Sequence, residues 1–430
     1  MEEKYNELER VRLEKIKKLQ EMGIEPFPIQ AEQSATAREA IAAFEASEKA
    51  GQAGTAERVI LAGRIRGMRP MGKLAFAHIE DRSGRVQLFF RINELGEERM
   101  KLLLDCFDLG DFIQAGGELM RTRTGEITLL VRDFKLLSKA ITPLPAAKDE
   151  VVDGEIIRHA SLTDPETRYR QRYADLAVNP EVREIFRTRA RIISNLRKFL
   201  DERDFLEVET PVLQPVYGGA AARPFVTHHN QLKQDLYLRI SFELYLKRLL
   251  VGGLERVYEI GRDFRNEGVS FKHNPEFTML EFYMAYSNAE EIMALTEEMV
   301  STVAREVKGT MIIEFGGHQI DLTPPWKRVT LREALKEATG IDITEHPDAE
   351  SLADAMQTKG LEAKPGTPRG KLIDGLLGDH LEPKLIQPTF LYDYPRDISP
   401  LAKAKAGDPQ TVDRFEGSPV VLNCAMLFRN

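Results

Sequence analysis

The 430-residue chain has no run of about eighteen consecutive apolar residues, so no segment is long enough to cross a bilayer as a helix. Its N-terminus, MEEKYNELERVRLEKIKKLQ, is charged throughout; this excludes a secretory signal peptide and makes the cytoplasm the expected compartment. Cysteine is scarce. Cys106 and Cys424 are the only two, far apart and away from any cluster of metal ligands, which speaks against a disulfide framework and a zinc site. Nor is there an excess of positive charge: the formal net charge is −8, although a global balance can conceal a local basic face. No internal repeat is found, and the length suggests two or three domains.

Residues 2–22 alternate Glu with Lys and Arg around Tyr5, Leu8, Val11, Ile16 and Leu19. That spacing predicts an exposed amphipathic helix, either simply solvated or a basic arm touching RNA. With the Ala-, Glu- and Gln-rich residues 31–56 it forms an N-terminal helical extension over 1–56. From Arg58 the period changes to two, and RVILAGRIRGMRPMGKLAFAHIEDRSGRVQLFFR reads as three short strands broken at Gly67–Gly72 and at the Asp81–Gly84 turn. Val59, Leu61, Gly63 and Ile65 share one face. Ala75, Ala77 and Ile79 point inward from the second strand and Val86, Leu88 and Phe90 from the third, leaving Phe76, His78 and Gln87 outside. Further strands are expected near Asp111–Arg121 and Ile127–Lys135. Five short strands with one polar, basic and aromatic face fit an OB-type barrel over 57–142, whose outer face binds single-stranded nucleic acid; Arg64, Phe76 and Gln87 are the candidates.

Pro143, Pro145 and the acidic run that follows mark a linker over 143–165. A second domain, 166–430, opens with a helix over Pro180–Arg203, and its richest stretch is ERVYEIGRDFRNEGVSFKHNPEFTMLEFYMAY, Glu255 to Tyr286. Two antiparallel strands there flank a loop with Arg265, Glu267, Lys272 and His273, a platform for a polyanion. Arg265 offers a planar fork to a phosphate or carboxylate, Glu267 an acceptor to an exocyclic amine, and Phe277 a flat support for a base. Taken singly, each has a plainer reading: Arg265 and Glu267 as a surface ion pair, Phe277 as core.

FRNEG followed by HNPEFTMLEFY resembles motif 2 of the class II aminoacyl-tRNA synthetases, and FLEVETPVL resembles their motif 1. GGAAARPFVTHHN, LYLRISFELYLKRLLVGGLERVYEIGRDFRNEG and PTFLYDYPRDISPLAK are similar to class II lysyl-tRNA synthetases in particular, over about residues 55–416. The resemblance implies an α+β protein: an N-terminal OB-fold β-barrel reading the anticodon, then a six- to seven-stranded antiparallel synthetase sheet flanked by helices. It also implies a homodimer through motif 1, no membrane, and ATP- and Mg2+-dependent ligation of L-lysine to lysine tRNA through a lysyl-adenylate. By the same resemblance Arg265 holds the α-phosphate and the lysine carboxylate, Glu267 and Asn274 meet the adenine, His273 the distal phosphates, and Phe277 stacks on the base. Glu243 and Glu281 face the amine groups of the substrate, Tyr283 helps to bind its side chain, and Gly219 leaves room for the α-amino end. Arg223 and His228 are assigned positioning roles. The metal ligands stay unassigned.

After Glu416 the sequence leaves the resemblance. The acidic helix and motif 3 expected next are not found, so the chain reads as C-terminally truncated, with an unstable strand edge. If Asn423 to Phe428 is encoded AAC TGT GCA ATG CTT TTC, a neighbouring frame reads Glu-Leu-Cys-Asn-Ala-Phe, close to the family pattern. A single-base frameshift just after Glu416 is therefore expected. The alternative function is a non-catalytic tRNA- or RNA-binding remnant.

Overall fold

Side-chain alternation builds the first half of the molecule. The computed structural model describes residues 5–51, 58–145, 148–152, 155–159, 162–268, 273–418 and 424–426. Helices α1 (Glu7–Glu21) and α2 (Ala37–Lys49) open with capping boxes at Asn6 and Thr36. Strands β1 (Val59–Met71), β2 (Leu74–Glu80) and β3 (Arg85–Arg91) follow, then helices α3 (Ile92–Leu95) and α4 (Glu97–Cys106), then β4 (Phe112–Arg121) and β5 (Ile127–Ser138). The five strands close into a barrel in the order β1-β2-β3-β5-β4, with β3 and β5 parallel. Leu61, Ile65, Ala77, Leu88 and Phe90 fill its interior, as the period-two pattern requires.

Two expectations are corrected here. The first strand does not break at Gly67: β1 runs on to Met71 with a bulge between Ile65 and Gly67, and the chain turns only at Gly72. The N-terminal helix is not a solvated rod. Leu19 is fully buried in the barrel core, and three of the helix's basic residues reach the barrel unit. Lys15 pairs with Asp108 at 2.7 Å, Lys18 with Asp105 at 3.0 Å, and Arg12 donates to the carbonyls of Ala140 and Leu109.

Strands β6 (Lys148–Val152) and β7 (Glu155–His159) form an antiparallel pair within the stretch read as a linker. Helices α5 (Pro165–Arg170), α6 (Arg172–Val178) and α7 (Pro180–Asp201) follow. The chain divides into two compact units, Met1–Glu184 and Ile185–Asn430. Leu162, Ala174 and Val178 pack with Leu144, which places α6 with the first unit.

In the second unit come β8 (Leu206–Glu207), β9 (Leu213–Gln214), β10 (Val226–His229), β11 (Gln234–Leu238), α8 (Glu243–Val251), β12 (Arg256–Phe264), β13 (Glu276–Met284) and α9 (Ala289–Lys308). β12 lies between β13, antiparallel, and β8, parallel; β11 lies between β10 and β9. One face of the β12–β13 pair carries Tyr258, Ile260, Leu280 and Phe282 onto Phe199 and Leu200 of α7 and Met299 of α9. The other carries Val257, Met279 and Tyr283 onto Phe242 and Leu246 of α8. Further on, β14 (Ile312–Phe315) pairs with β15 (His318–Asp321). Strands β16 (Lys327–Thr330), β17 (Thr389–Pro395), β18 (Ala404–Lys405), β19 (Asp408–Ser418) and β20 (Cys424–Met426) form another sheet. Helices α10 (Leu331–Thr339), α11 (Ala349–Thr358) and α12 (Arg369–Gly375) contribute to a core that includes Leu391 of β17.

In the motif 1 stretch only Leu206–Glu207 and Leu213–Gln214 join ladders; between them Thr210 turns its N–H and hydroxyl to Glu259 and Pro211 has no N–H to give. Among the described residues the strands of this unit fall into separate sheets, not one of six or seven. Lys272, residues 419–423 and residues 427–430 lie outside the described residues, and with them most of the tail that was read as frameshifted.

The barrel rests on one buried ion pair. Lys139 and Asp111 have no side-chain exposure and meet at 2.7 Å, with the N–H groups of Asp108 and Ala140 completing the carboxylate's partners. Lys139→Met leaves that carboxylate buried and unpaired, so it should cost about 3–5 kcal/mol in urea unfolding. Lys18→Met, which removes only an exposed partner, should leave the midpoint nearly unchanged.

Candidate active site

The β12–β13 register decides what shares the α8-facing side. Glu259 stands opposite Glu281, Gly261 opposite Met279, and Asp263 opposite Phe277. Counting in twos, Val257, Glu259, Gly261, Asp263 and then Arg265 line one edge, with Phe277, Met279, Glu281 and Tyr283 beside them. An ionic run on a face otherwise packed against a helix is costly unless it is paired.

Arg239, just after β11, supplies much of the pairing. Its Nη1 donates to Glu259 at 2.5 Å and to the Thr210 carbonyl at 3.0 Å, and its Nε to the Arg262 carbonyl at 2.9 Å. Thr210 closes the network on Glu259 through its hydroxyl at 2.6 Å and its N–H at 3.1 Å. Gly261 makes room for Arg239, since a Cβ there would lie 2.5 Å from Nη2.

Glu281 accepts from the Ser241 hydroxyl at 2.7 Å, the Phe242 N–H at 3.2 Å and the Tyr283 hydroxyl at 3.0 Å. Burial pushes its carboxyl above the ordinary range against those hydrogen bonds, and the Glu243 charge adds to the rise. Glu243 is buried at the start of α8, with Lys247 one turn on at 3.1 Å. Gly219, at φ +92°, lets its loop approach this wall: a Cβ would lie 2.7 Å from the Ser241 hydroxyl and 2.9 Å from the Glu243 Cβ. Glu243, Glu281, Tyr283 and Gly219 thus converge as the sequence suggested, and Ser241 was missed.

Arg265 is half-buried over the Phe277 ring, 5.1 Å from its centroid, and its N–H is held by the Pro275 carbonyl. The next N–H, of Asn266, donates to the carbonyl of Arg223, so Arg223 anchors the glycine loop by its backbone. Glu267, His273 and Asn274 are exposed at the mouth of the loop, and Asn274 donates to the Glu276 carbonyl at 2.8 Å. His228 lies apart, exposed and paired across its hairpin with Asp235 at 2.8 Å. Asp263 was not singled out from the sequence. It is fully buried, and burial first, then the Glu281 charge, push its carboxyl up to about 7.

On the barrel, Phe76 stacks on Phe89 with centroids 4.5 Å apart. Gln87 donates to Glu126 at 2.8 Å and accepts from Thr128 at 2.9 Å, and His78 also meets Glu126, a residue the sequence reading did not single out. Arg64 is not with this group. It stands opposite Glu80 at the other end of β2 from Phe76, its guanidinium over the Phe112 ring.

Among the described residues no group of three or more His, Cys, Asp or Glu side chains could hold a metal ion, and no helix is long and apolar enough to cross a membrane. Residues 59–137 match the family model of the OB-fold nucleic acid binding domain, and residues 164–423 that of the tRNA synthetases class II (D, K and N), a match that runs past Glu416. The lysine–tRNA ligase of Syntrophomonas wolfei is 50% identical over 411 residues, covering 96% of this chain and 80% of that protein. That of Pelotomaculum thermopropionicum is 50% identical over 417 residues, 96% of this chain and 79% of that protein, and that of Moorella thermoacetica 50% over 414 residues, 96% and 80%. With a class II synthetase model over more than half its length and relatives at this identity, the chain belongs to the class II tRNA synthetases (D, K and N), in the lysine–tRNA ligase family.

Proposed function

We propose that the chain ligates L-lysine to its tRNA in two steps in the cytoplasm. The lysine carboxylate attacks the α-phosphorus of ATP and expels pyrophosphate; a terminal tRNA hydroxyl then attacks the carbonyl of lysyl-adenylate and expels AMP. One observation carries the reading: the same face of β12–β13 presents a planar cation over an aromatic ring at one end and converging buried carboxylates at the other. A cationic amino acid and a nucleotide phosphate are the ligands that complement those two ends.

Arg265 neutralises charge developing on the α-phosphate oxygens and orients the lysine carboxylate. Phe277 stacks on the adenine, Glu267 and Asn274 reach its edge, and His273 meets the distal phosphates. Glu281, Glu243 and Tyr283 hold the substrate's amine groups, and Gly219 keeps the α-amino end clear. Neither step needs a covalent enzyme intermediate: alignment is the main contribution. Magnesium would accompany the ATP phosphates and offset their charge, and no side-chain cluster among the described residues is built to hold it.

The barrel reads the anticodon. Phe76, stacked on Phe89, offers an aromatic platform to a base, Gln87 is fixed by Glu126 and Thr128, and Arg64, at the other end of β2, would meet the RNA backbone away from them. The proposed assembly is a homodimer. Ile185, Phe186, Val212, Leu213, Val216 and Val226 are all exposed, Val216 to 66%. Large apolar groups gathered in and around the motif 1 stretch fit a second copy of the chain.

Lysine-dependent ATP–pyrophosphate exchange by the purified chain is the direct test, and its absence would sink the reading. Arg265→Ala should lower kcat/KM in that assay about 10²–10³-fold. Glu281→Gln should raise KM for lysine about tenfold or more and leave KM for ATP unchanged. Phe76→Ala should weaken binding of the lysine tRNA anticodon stem-loop by about 1–3 kcal/mol in a fluorescence titration. Light scattering should report a dimer that the double variant Leu213→Asp, Val216→Asp converts to monomer; a wild-type monomer at micromolar concentration contradicts the assembly.

A further inference from the structure

Asp263 has no exposed surface, yet neither carboxylate oxygen has a hydrogen-bond partner among the described residues. Two positions on, past the end of β12, Arg265 has its Nε equally buried and equally without a partner. Residues two apart on an extended strand share a face, with Cα atoms about 6.8 Å apart. Arg239 offsets the Asp263 charge, its Nε 3.5 Å from Oδ1, but that N–H points at the Arg262 carbonyl and Nη1 is held by Glu259 and Thr210. An orphaned acceptor and an orphaned donor of opposite charge therefore lie on one face, each costly to leave unsatisfied.

We propose that Asp263 is a positioning residue for Arg265: with Nη2 at the Ile240 carbonyl, 3.5 Å away, the Asp263 carboxylate takes Nε, directly or through one water, and so leaves Nη1 turned toward the nucleotide phosphate. The assignment rests on the reading of Arg265 as the phosphate-binding group. A charged acceptor holds such a donor about twice as strongly as a neutral one, so the hold depends on the ionisation of Asp263. The charged groups facing Asp263 are Glu259 and Arg265 on its own strand side, Glu281 from β13, and Arg239 from the segment after β11. Glu243 of α8 acts on Glu281, and α8 otherwise presents the Phe242 ring to this face. Burial and Glu281 raise the Asp263 carboxyl to about 7. Below that pH it is neutral and the hold on Arg265 is weak; the hold strengthens as pH rises through it.

The test uses the full chain labelled with 15N-arginine, the Arg265 Nε signal being assigned by its loss in Arg265→Lys. In wild type that signal should shift with a single midpoint near pH 7, and in Asp263→Asn it should stay put. An Arg265 signal that does not move with pH in wild type overturns the proposal, whether or not Asp263→Asn folds. So does a signal that moves alike in both proteins. Calorimetric titration with ATP supplies the second arm: Asp263→Asn should bind about tenfold more weakly above pH 7. Equal ATP affinity in the two proteins also overturns it. If neither protein binds ATP, it is the reading of Arg265 that fails, while the Arg265 signal still reports whether the two side chains are coupled.

Discussion

The second unit is organised around a buried cation, Arg239, and the carboxylate it cannot do without, Glu259. Both side chains are about 4% exposed. Removing either partner of such a pair typically costs about 3–5 kcal/mol, because the survivor keeps its charge in a dry site. Three separate pieces of chain meet there: Thr210 from the motif 1 stretch, Arg239 from the end of β11, and Glu259 and Arg262 on β12. The neighbouring segments are held by the same geometry. The Arg239 N–H donates to the Val212 carbonyl, and the Arg239 carbonyl accepts from Phe264, one residue before Arg265. The placement of Arg265 is thus tied to the Arg239–Glu259 ion pair.

From that pair outward, the face of β12 is a row of ionisable groups in a place where strand periodicity would ordinarily put apolar ones. The tyrosine and serine hydroxyls around Glu281, the Gly219 backbone that packs where a Cβ would collide, and the Arg265 guanidinium over Phe277 each answer part of the resulting demand for partners. They do not answer all of it. Among the described residues Glu243, Glu259, Asp263 and Glu281 outnumber Arg239, Arg265 and the Lys247 ammonium, and the carboxyls of Glu281 and Asp263 are raised by burial first and by neighbouring carboxylate charge after it. On the proposed function, a cationic amino acid bound at this face would offset that excess of negative charge.

Much of this was legible in the amino-acid sequence where the governing distance is short. The barrel followed from alternation within single strands, which placed Ala77, Leu88 and Phe90 inside and Phe76 and Gln87 outside. Arg265, Glu281 and Tyr283 were found because they sit in a contiguous run that resembles a known motif. What stayed hidden depends on partners far along the chain: Thr210 and Glu259 are 49 residues apart, Ser241 and Glu281 are 40, and Gln87 and Glu126 are 39. Asp263 was not singled out, since nothing local says that its face lies under α8. The docking of α1 was missed for the same reason: Leu19 and Lys15 have the spacing of any solvated helix until the barrel and Asp108 are beside them.

The account stands or falls on the claim that the carboxylate end of the β12–β13 face is built around a ligand's positive charge. Calorimetric titration of the full chain at pH 7 with L-lysine and, separately, with norleucine, which has the same carbon chain and no side-chain amine, isolates that charge. The account predicts binding of lysine and a loss of at least about 3 kcal/mol, to no measurable binding, for norleucine. Equal affinity for the two would contradict it.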